Sequence, residues 1–305
     1  MLALVFPGQG SQFVGMGKDL YETFSEARDV FDRANKILGF DLKKICFEGP
    51  EEILKQTENT QPALFVHSLT VFELLKNFDV KAAAGHSLGE YSALTAAGVF
   101  SFEDGLKIVR ARGKLMQRSG ELNPGTMAAI VGLSIEKVNE ICEELNTIGI
   151  VQPANFNSPG QIVISGEVHA VKKALELAKL NGARLTKELV VSGAFHSPLM
   201  NYAYENISNE LEKINISDLK FDVYSNVTGD KFKDKDEIKQ LLIKQIISPV
   251  KWQQIIEKMI EDGITKFIEV GAGKVLTGLI KRINSNVQVL NAGTVEEIKF
   301  LLENE

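Results

Sequence analysis

Residues 80–97 read Val80-Lys81-Ala82-Ala83-Ala84-Gly85-His86-Ser87-Leu88-Gly89-Glu90-Tyr91-Ser92-Ala93-Leu94-Thr95-Ala96-Ala97. A short apolar run of strand length, Val80–Ala84, leads into a serine flanked by glycines, and a helical pattern, Glu90–Ala97, leads out. Strand, tight turn and helix in that order are the context a G-x-S-x-G nucleophile elbow requires. Gly85 and Gly89 remove the side chains that would collide where the strand folds back on the helix. The helix aims its first amides, Leu88 N–H foremost, at the place where an oxyanion forms. Ser87 is therefore the candidate nucleophile. The competing explanation is an ordinary strand–helix turn with Gly and Ser chosen for shape.

Outward from this elbow the alternation continues. Leu2–Phe6 reads as a first strand, ended by Pro7-Gly8. Thr60-Gln61-Pro62 opens a helix through about Leu75, because proline is tolerated in a first turn. Ser101 caps a further helix with Asp104 at the capping-box position. After Pro198, Phe221–Tyr224 reads as a strand, Trp252–Asp262 as a helix and Lys266–Val270 as a strand. Gly271-Ala272-Gly273 turns into a helix from Lys274, and Val287–Leu290 is a last strand before a terminal helix. Strands alternating with helices imply an α/β fold with a parallel sheet covered on both faces.

Between about Gly125 and Val191 the rhythm differs. Thr126–Gly132 reads as a strand and Ser134–Leu145 as a helix. Ile150–Phe156 and Gln161–Ser165 are strands joined by the turn Asn157-Ser158-Pro159-Gly160. Glu167–Leu180 is a helix and Arg184–Val191 a strand. The order βαββαβ is that of a ferredoxin-like unit. The expected organisation is a discontinuous hydrolase-like core, 1–124 and 193–305, with a small ferredoxin-like subdomain, 125–192, inserted into it.

Composition narrows the classes. Hydrophobic residues make up 44% and charged residues 24% of the 305, the balance of a globular protein. A net charge of -6 argues against nucleic acid as a partner, since phosphate binding wants a basic surface. No run approaches the roughly 18 apolar residues of a membrane span, and the N-terminus lacks the basic region of a signal peptide. Cys46 and Cys142 form no CxxC pair and no metal-ligand spacing, so they read as small buried hydrophobes in a reducing, cytoplasmic compartment.

A serine hydroxyl needs a base, and the chain has 4 histidines. His67 lies within a helix amid Leu64, Phe65 and Val71 and reads as packed. His86 adjoins the nucleophile, so its ring should point away from Ser87 and line the pocket. His169 starts an insertion helix and reads as exposed. His196, in Ala194-Phe195-His196-Ser197-Pro198, sits on a loop where the chain returns to the core, and is the chosen base. No acid stands out to orient it, which leaves a backbone carbonyl or a later residue. In the helix Phe102–Arg118, Lys107, Arg110, Lys114 and Gln117 form a polar face that reads as solvated. Arg112 instead shares the side of Ile108, Val109 and Met116. A guanidinium there requires a partner. That partner is either a structural carboxylate or the carboxylate of a substrate held as a two-pronged pair.

Taken together these residues resemble the malonyl-CoA:acyl carrier protein transacylase family, over nearly the whole chain. The matching motifs are Phe6-Pro7-Gly8-Gln9-Gly10-Ser11-Gln12, Gln61-Pro62-Ala63-Leu64, Gly85–Leu94, Arg112–Met116, Ala154-Asn155, Phe195-His196-Ser197, Ser248-Pro249-Val250 and Val270–Leu276. The resemblance implies Ser87 as nucleophile, His196 as base, Gln9 and the Leu88 amide as oxyanion hole, and Arg112 as holder of the malonyl carboxylate. It implies the Gln245 backbone carbonyl in place of a triad acid, with His86, Met116, Asn155 and Phe195 lining the pocket. Leu88 and Phe195 resemble the malonyl-selective members. Ala272 departs from the proline that relatives often carry, in a turn away from the chemistry. The resemblance further implies malonyl-CoA and acyl carrier protein as partners, a coenzyme A thioester as substrate with no cofactor or metal, and a monomer serving fatty acid or polyketide synthesis. The rival readings are a serine esterase or thioesterase, a dinucleotide enzyme and a non-catalytic docking module. The dinucleotide reading is weakened because Phe13 stands where its third glycine belongs.

Overall fold

The computed structural model describes residues 1–304. The chain runs β1 (Leu2–Phe6), α1 (Lys18–Thr23), α2 (Ser25–Leu38), α3 (Leu42–Glu48), α4 (Glu51–Leu54), α5 (Thr57–Leu74), β2 (Val80–Gly85), α6 (Leu88–Ala96) and α7 (Phe102–Leu122). Then come β3 (Thr126–Val131), α8 (Ile135–Glu144), β4 (Val151–Ser158), β5 (Gln161–Gly166), α9 (Val168–Leu180) and β6 (Leu185–Glu188). The last part holds α10 (Asn201–Glu212), β7 (Asp222–Tyr224), α11 (Lys235–Gln245), α12 (Trp252–Glu261), β8 (Lys266–Val270), α13 (Val275–Ile283), β9 (Gln288–Ala292) and α14 (Val295–Asn304).

Five strands form one parallel sheet in the order β7-β2-β1-β8-β9. Side chains alternate across it. Leu4 and Phe6 of β1 enter one hydrophobic core, while Ala3 and Val5 enter the core on the opposite face. Burial on both faces is what a parallel sheet with crossover helices demands. Strand order also decides what surrounds the elbow. Phe6 pairs with Gly85 and Ala84 with Tyr224. The turn after β1 and the loop after β7 therefore flank Ser87 on either side.

The other sheet, β4-β5-β3-β6, is antiparallel and drawn wholly from the chain between Thr126 and Glu188. Helices α8 and α9 cover one face with Val138, Ile141, Ala170 and Val171. Its strand β4 is tied to the rest of the protein. Phe156 N–H donates to the Val250 carbonyl at 2.9 Å, and Val250 N–H donates to the Ala154 carbonyl at 2.8 Å.

Several boundaries differ from the sequence reading. Helix α5 begins at Thr57, so Pro62 lies inside it rather than in its first turn. Proline lacks the N–H that would meet the carbonyl four residues back, which is that of Glu58. Arg110 Nη1 donates to that orphaned carbonyl and, at 2.9 Å, to Asn59 Oδ1, while Nη2 pairs with the Glu58 carboxylate at 3.1 Å. This corrects the solvated polar face as well. Arg110 is largely buried, and Gln117 accepts from Glu58 N–H at 3.2 Å. Lys107 and Lys114 remain exposed, the former paired with Glu103.

The hairpin of β4 and β5 extends to Ser158 and turns on Pro159-Gly160 alone. Strand β6 stops at Glu188, short of the expected Val191. Helices α1 to α4, α10 and α11 have no counterpart in the sequence reading. Both cysteines are buried and free, their thiols pushed up to about 12 by burial, so neither is a reactive thiolate. Among the described residues no helix is long and apolar enough to cross a membrane.

Candidate active site

The elbow forms as its spacing requires. A Cβ on Gly89 would stand 2.0 Å from the Phe6 carbonyl oxygen, and one on Gly85 would stand 1.8 Å from the Gly89 backbone. Ser87 takes φ 53° and ψ -106°. Among the described residues only Ser87 and His196 are non-glycine residues with positive φ. Such conformations persist only where surrounding structure holds them.

For Ser87 the holder is Asn226, on the loop after β7. Its Oδ1 accepts from Ser87 N–H at 2.7 Å, and its Nδ2 donates to the Gly85 carbonyl at 2.7 Å. One amide therefore satisfies both backbone groups of the turn. Asn226→Ala would leave two buried polar groups without partners, and each costs about 1–3 kcal/mol. We expect stability in urea to fall by about 3 kcal/mol, with slower acylation of Ser87. An unchanged unfolding midpoint would contradict this role.

Ser87 Oγ lies 2.8 Å from His196 Nε2, and His196 Nδ1 lies 2.9 Å from the Gln245 carbonyl oxygen. That carbonyl can only accept, so Nδ1 carries the ring proton and Nε2 is the acceptor facing the serine. Gln152 Nε2 donates to the His196 carbonyl at 2.8 Å, pinning the loop. Burial and the nearby Arg112 charge push the imidazole down to about 3. It is neutral at pH 7 and able to take a proton.

The other histidines stand apart. His86 turns from Ser87, with Nε2 2.9 Å from Asn157 Oδ1. His67 is wholly buried in α5 and pushed down to about 4 by burial. His169 is exposed on α9.

Gln9, Leu88, Met116, Asn155 and Phe195 all line one cavity of about 110 Å³ together with Ser87, His86, Arg112 and His196. Leu88 is the first residue of α6, so its N–H has no acceptor within the helix. Gln9 follows β1, and its Nε2 donates to Thr57 Oγ1 at 3.3 Å. Leu189 and Val191 complete the wall. They belong to the stretch expected as strand, and leave the sheet after Leu189 N–H meets the Met127 carbonyl at 2.9 Å.

Arg112 is 1% exposed. Its Nη1 donates to Gln61 Oε1 at 2.8 Å; its Nη2 donates to Gln245 Oε1 at 2.8 Å and to Ser87 Oγ at 3.1 Å. Its Nε is buried with no partner. No carboxylate stands within ion-pair distance of it among the described residues. A direct structural salt bridge is therefore absent, and the buried Glu90 carboxylate acts on the guanidinium only through space, from the far side of the Gln245 side chain. A buried guanidinium, always charged, is held by neutral amides beside a serine nucleophile.

The acyl transferase domain, as a family, matches residues 3–297. A malonyl CoA-acyl carrier protein transacylase from Staphylococcus aureus (strain MW2) is 44% identical over 304 residues, 99% of each chain. The crystal structure of an acyl-carrier-protein-S-malonyltransferase from Bartonella henselae superposes with TM-score 0.96 at 43% identity, covering 99% of this chain and 98% of that one. A malonyl-transacylase solved in complex with a type II PKS acyl-carrier protein superposes with TM-score 0.97 at 39% identity, covering 100% and 99%. The chain belongs to the malonyl CoA-acyl carrier protein transacylases.

In this transacylase the residues that sequence reasoning missed are those that hold the others. Gln61 reads from sequence only as part of a helix start and a family motif, yet it carries one end of Arg112. Asn226 carries no sequence signal, and Glu90 only a weak one. The Glu90 carboxylate is 1% exposed and accepts from Asn226 N–H at 3.1 Å and from Gln245 Nε2. An acid does lie close to the site, but it meets the side chain of Gln245 while the backbone carbonyl of the same residue meets His196. A buried Glu one turn beyond the nucleophile was the available cue, since carboxylates are almost never fully buried without partners.

Proposed function

We propose that this acyltransferase moves a malonyl group from malonyl-CoA to the phosphopantetheine thiol of acyl carrier protein through a malonyl-Ser87 ester, supplying fatty acid synthesis. The observation that carries this reading is Arg112, a buried cation without a carboxylate partner, 3.1 Å from the serine that would bear the acyl group. Its Nε and Nη2 form the lateral fork of the guanidinium, and a carboxylate accepts from such a fork in two parallel hydrogen bonds. A malonyl group ends in that carboxylate; an acetyl group does not.

The chemistry follows in two halves. His196 Nε2 takes the Ser87 proton as Oγ bonds to the thioester carbon. The oxyanion faces the Leu88 and Gln9 amides. The C–S bond breaks, and the coenzyme A sulfur takes the proton back from His196. In the second half the carrier thiol gives its proton to His196 and attacks the ester, and Ser87 Oγ leaves with that proton. The acid and base steps are complete with these residues, so no metal or redox cofactor is required. When the malonyl carboxylate pairs with Arg112, the positive charge that depresses His196 is offset, so substrate binding raises the basicity of the ring.

The enzyme acts as a monomer in the cytoplasm, a setting that suits its free buried thiols. Malonyl-CoA mixed with the enzyme should give a stable malonyl adduct on Ser87 by intact mass, discharged by holo acyl carrier protein. Rapid hydrolysis without transfer would favour the esterase reading instead. The solved relative with a type II PKS carrier gives the second reading, a carrier of polyketide synthesis. A panel of both carrier kinds separates the two by kcat/KM.

A further inference from the structure

We propose that Glu90 is a positioning residue for carboxylate recognition: by accepting the Gln245 side-chain amide it decides which end of that amide faces Arg112. This rests on the reading that Arg112 holds the malonyl carboxylate.

The Gln245 amide lies between two kinds of neighbour. On one side are acceptors, the Ser87 carbonyl oxygen at 3.0 Å and Glu90 Oε2, and both take Nε2. On the other side is a donor, Arg112 Nη2 at 2.8 Å, and it takes Oε1. An amide has one donor end and one acceptor end, so this arrangement has a single satisfied orientation. Glu90 enforces it because an ionised carboxylate only accepts. Its other oxygen takes Asn226 N–H at 3.1 Å, and Ser225 adds a further hydrogen bond. Every group bonded to Glu90 is a donor.

A glutamine at 90 would break the set. Whichever way its amide turned, an NH2 group would face either Asn226 N–H or Gln245 Nε2. The available relief is for Gln245 to turn over. Its Nε2 would then point at the guanidinium, donor against cation, and Arg112 would be displaced from the pocket. Glu90 touches neither the acyl group nor the reacting atoms and acts entirely through Gln245.

The same logic predicts a pH dependence. The groups facing Glu90 are Arg112 from α7, Tyr91 beside it on α6, the neutral Ser225 and Asn226 after β7, and Gln245 of α11. Burial raises the Glu90 carboxyl to about 7, against the hydrogen bonds and the Arg112 charge that lower it. Above that pH it is ionised and purely an acceptor. Below it the proton turns one acceptor into a donor among donors.

The test compares kcat and KM for malonyl-CoA and acetyl-CoA in wild type, Glu90→Gln and Arg112→Ala. For Glu90→Gln the malonyl-to-acetyl ratio of kcat/KM should fall about tenfold, the size of one weakened charge-assisted hydrogen bond. The loss should lie mainly in the malonyl KM. Equal loss for both substrates, or an unchanged ratio, would overturn the proposal. Should Glu90→Gln not fold, the wild-type ratio against pH decides. It should drop below about pH 7, although a free malonyl carboxyl stays ionised down to about pH 4. Common effects on His196 cancel in the ratio. A ratio flat from about pH 5.5 to about 8.5 would overturn the proposal. If Arg112→Ala collapses the ratio and Glu90→Gln does not, only the Glu90 role fails. If Arg112→Ala leaves the ratio intact, the recognition reading itself fails.

Discussion

Ser87→Ala is expected to abolish formation of the malonyl-enzyme and to lower transfer to carrier protein by about 10⁴-fold or more. The reason is that both halves of the proposed reaction pass through the Ser87 oxygen, so no binding contact substitutes for it. His196→Ala should be nearly as severe. The two side chains share one 2.8 Å hydrogen bond, and residues that act as a unit lose almost everything when either is removed. The double variant should therefore be little worse than either single one. The check is intact mass after mixing with malonyl-CoA, followed by carrier loading on a gel. Full transfer by Ser87→Ala would instead favour a docking module without catalysis, whatever the quality of the elbow.

Arg112→Ala should lower kcat/KM for malonyl-CoA by about 10²-fold, the worth of roughly 3 kcal/mol from a two-pronged, charge-assisted pair. Transfer of acetyl groups should change far less. Removing this guanidinium also removes the cation that depresses His196, so the imidazole should become more basic in the variant. Arg112→Lys keeps a charge but loses the lateral fork and the simultaneous contacts to Gln61, Gln245 and Ser87. It should recover only part of the malonyl preference. Parallel kinetics with malonyl-CoA and acetyl-CoA provide the measurement. An equal loss for both would make Arg112 a structural residue.

Much of the architecture is legible because its signals are local. The alternation of strand and helix, the βαββαβ order and the turn chemistry each occupy a short window. The structure departs from the local pattern where distant contacts override a local rule. Pro62 reads as a first-turn residue until Arg110, from another helix, supplies the hydrogen bond that the proline cannot. Arg110 reads as part of a solvated face for the same reason, since its partner Glu58 is remote in sequence. Leu189 to Val191 have the composition of a strand, yet lie beyond its end, where Leu189 and Val191 line the cavity.

The sequence by itself determined the nucleophile and the sense of its surroundings. Gly85, Ser87 and Gly89 must lie on one turn between one strand and one helix; the close approach that requires Gly85 is met within five residues, at Gly89, whereas the one that requires Gly89 comes from Phe6 of the neighbouring strand. It also marked Arg112 as misplaced, because helical periodicity assigns a face without knowing what packs on it. Only the tertiary structure decided what that face meets. Parallel pairing of β2 with β1 on one side and β7 on the other brings Gln9 and Asn226 to Ser87, and packing around α5 and α11 brings Gln61 and Gln245 to Arg112. Whether the guanidinium had a carboxylate partner depended on the meeting of chain segments far apart in sequence. The answer, two neutral amides and a serine hydroxyl, follows from strand order and helix packing, which no local spacing encodes.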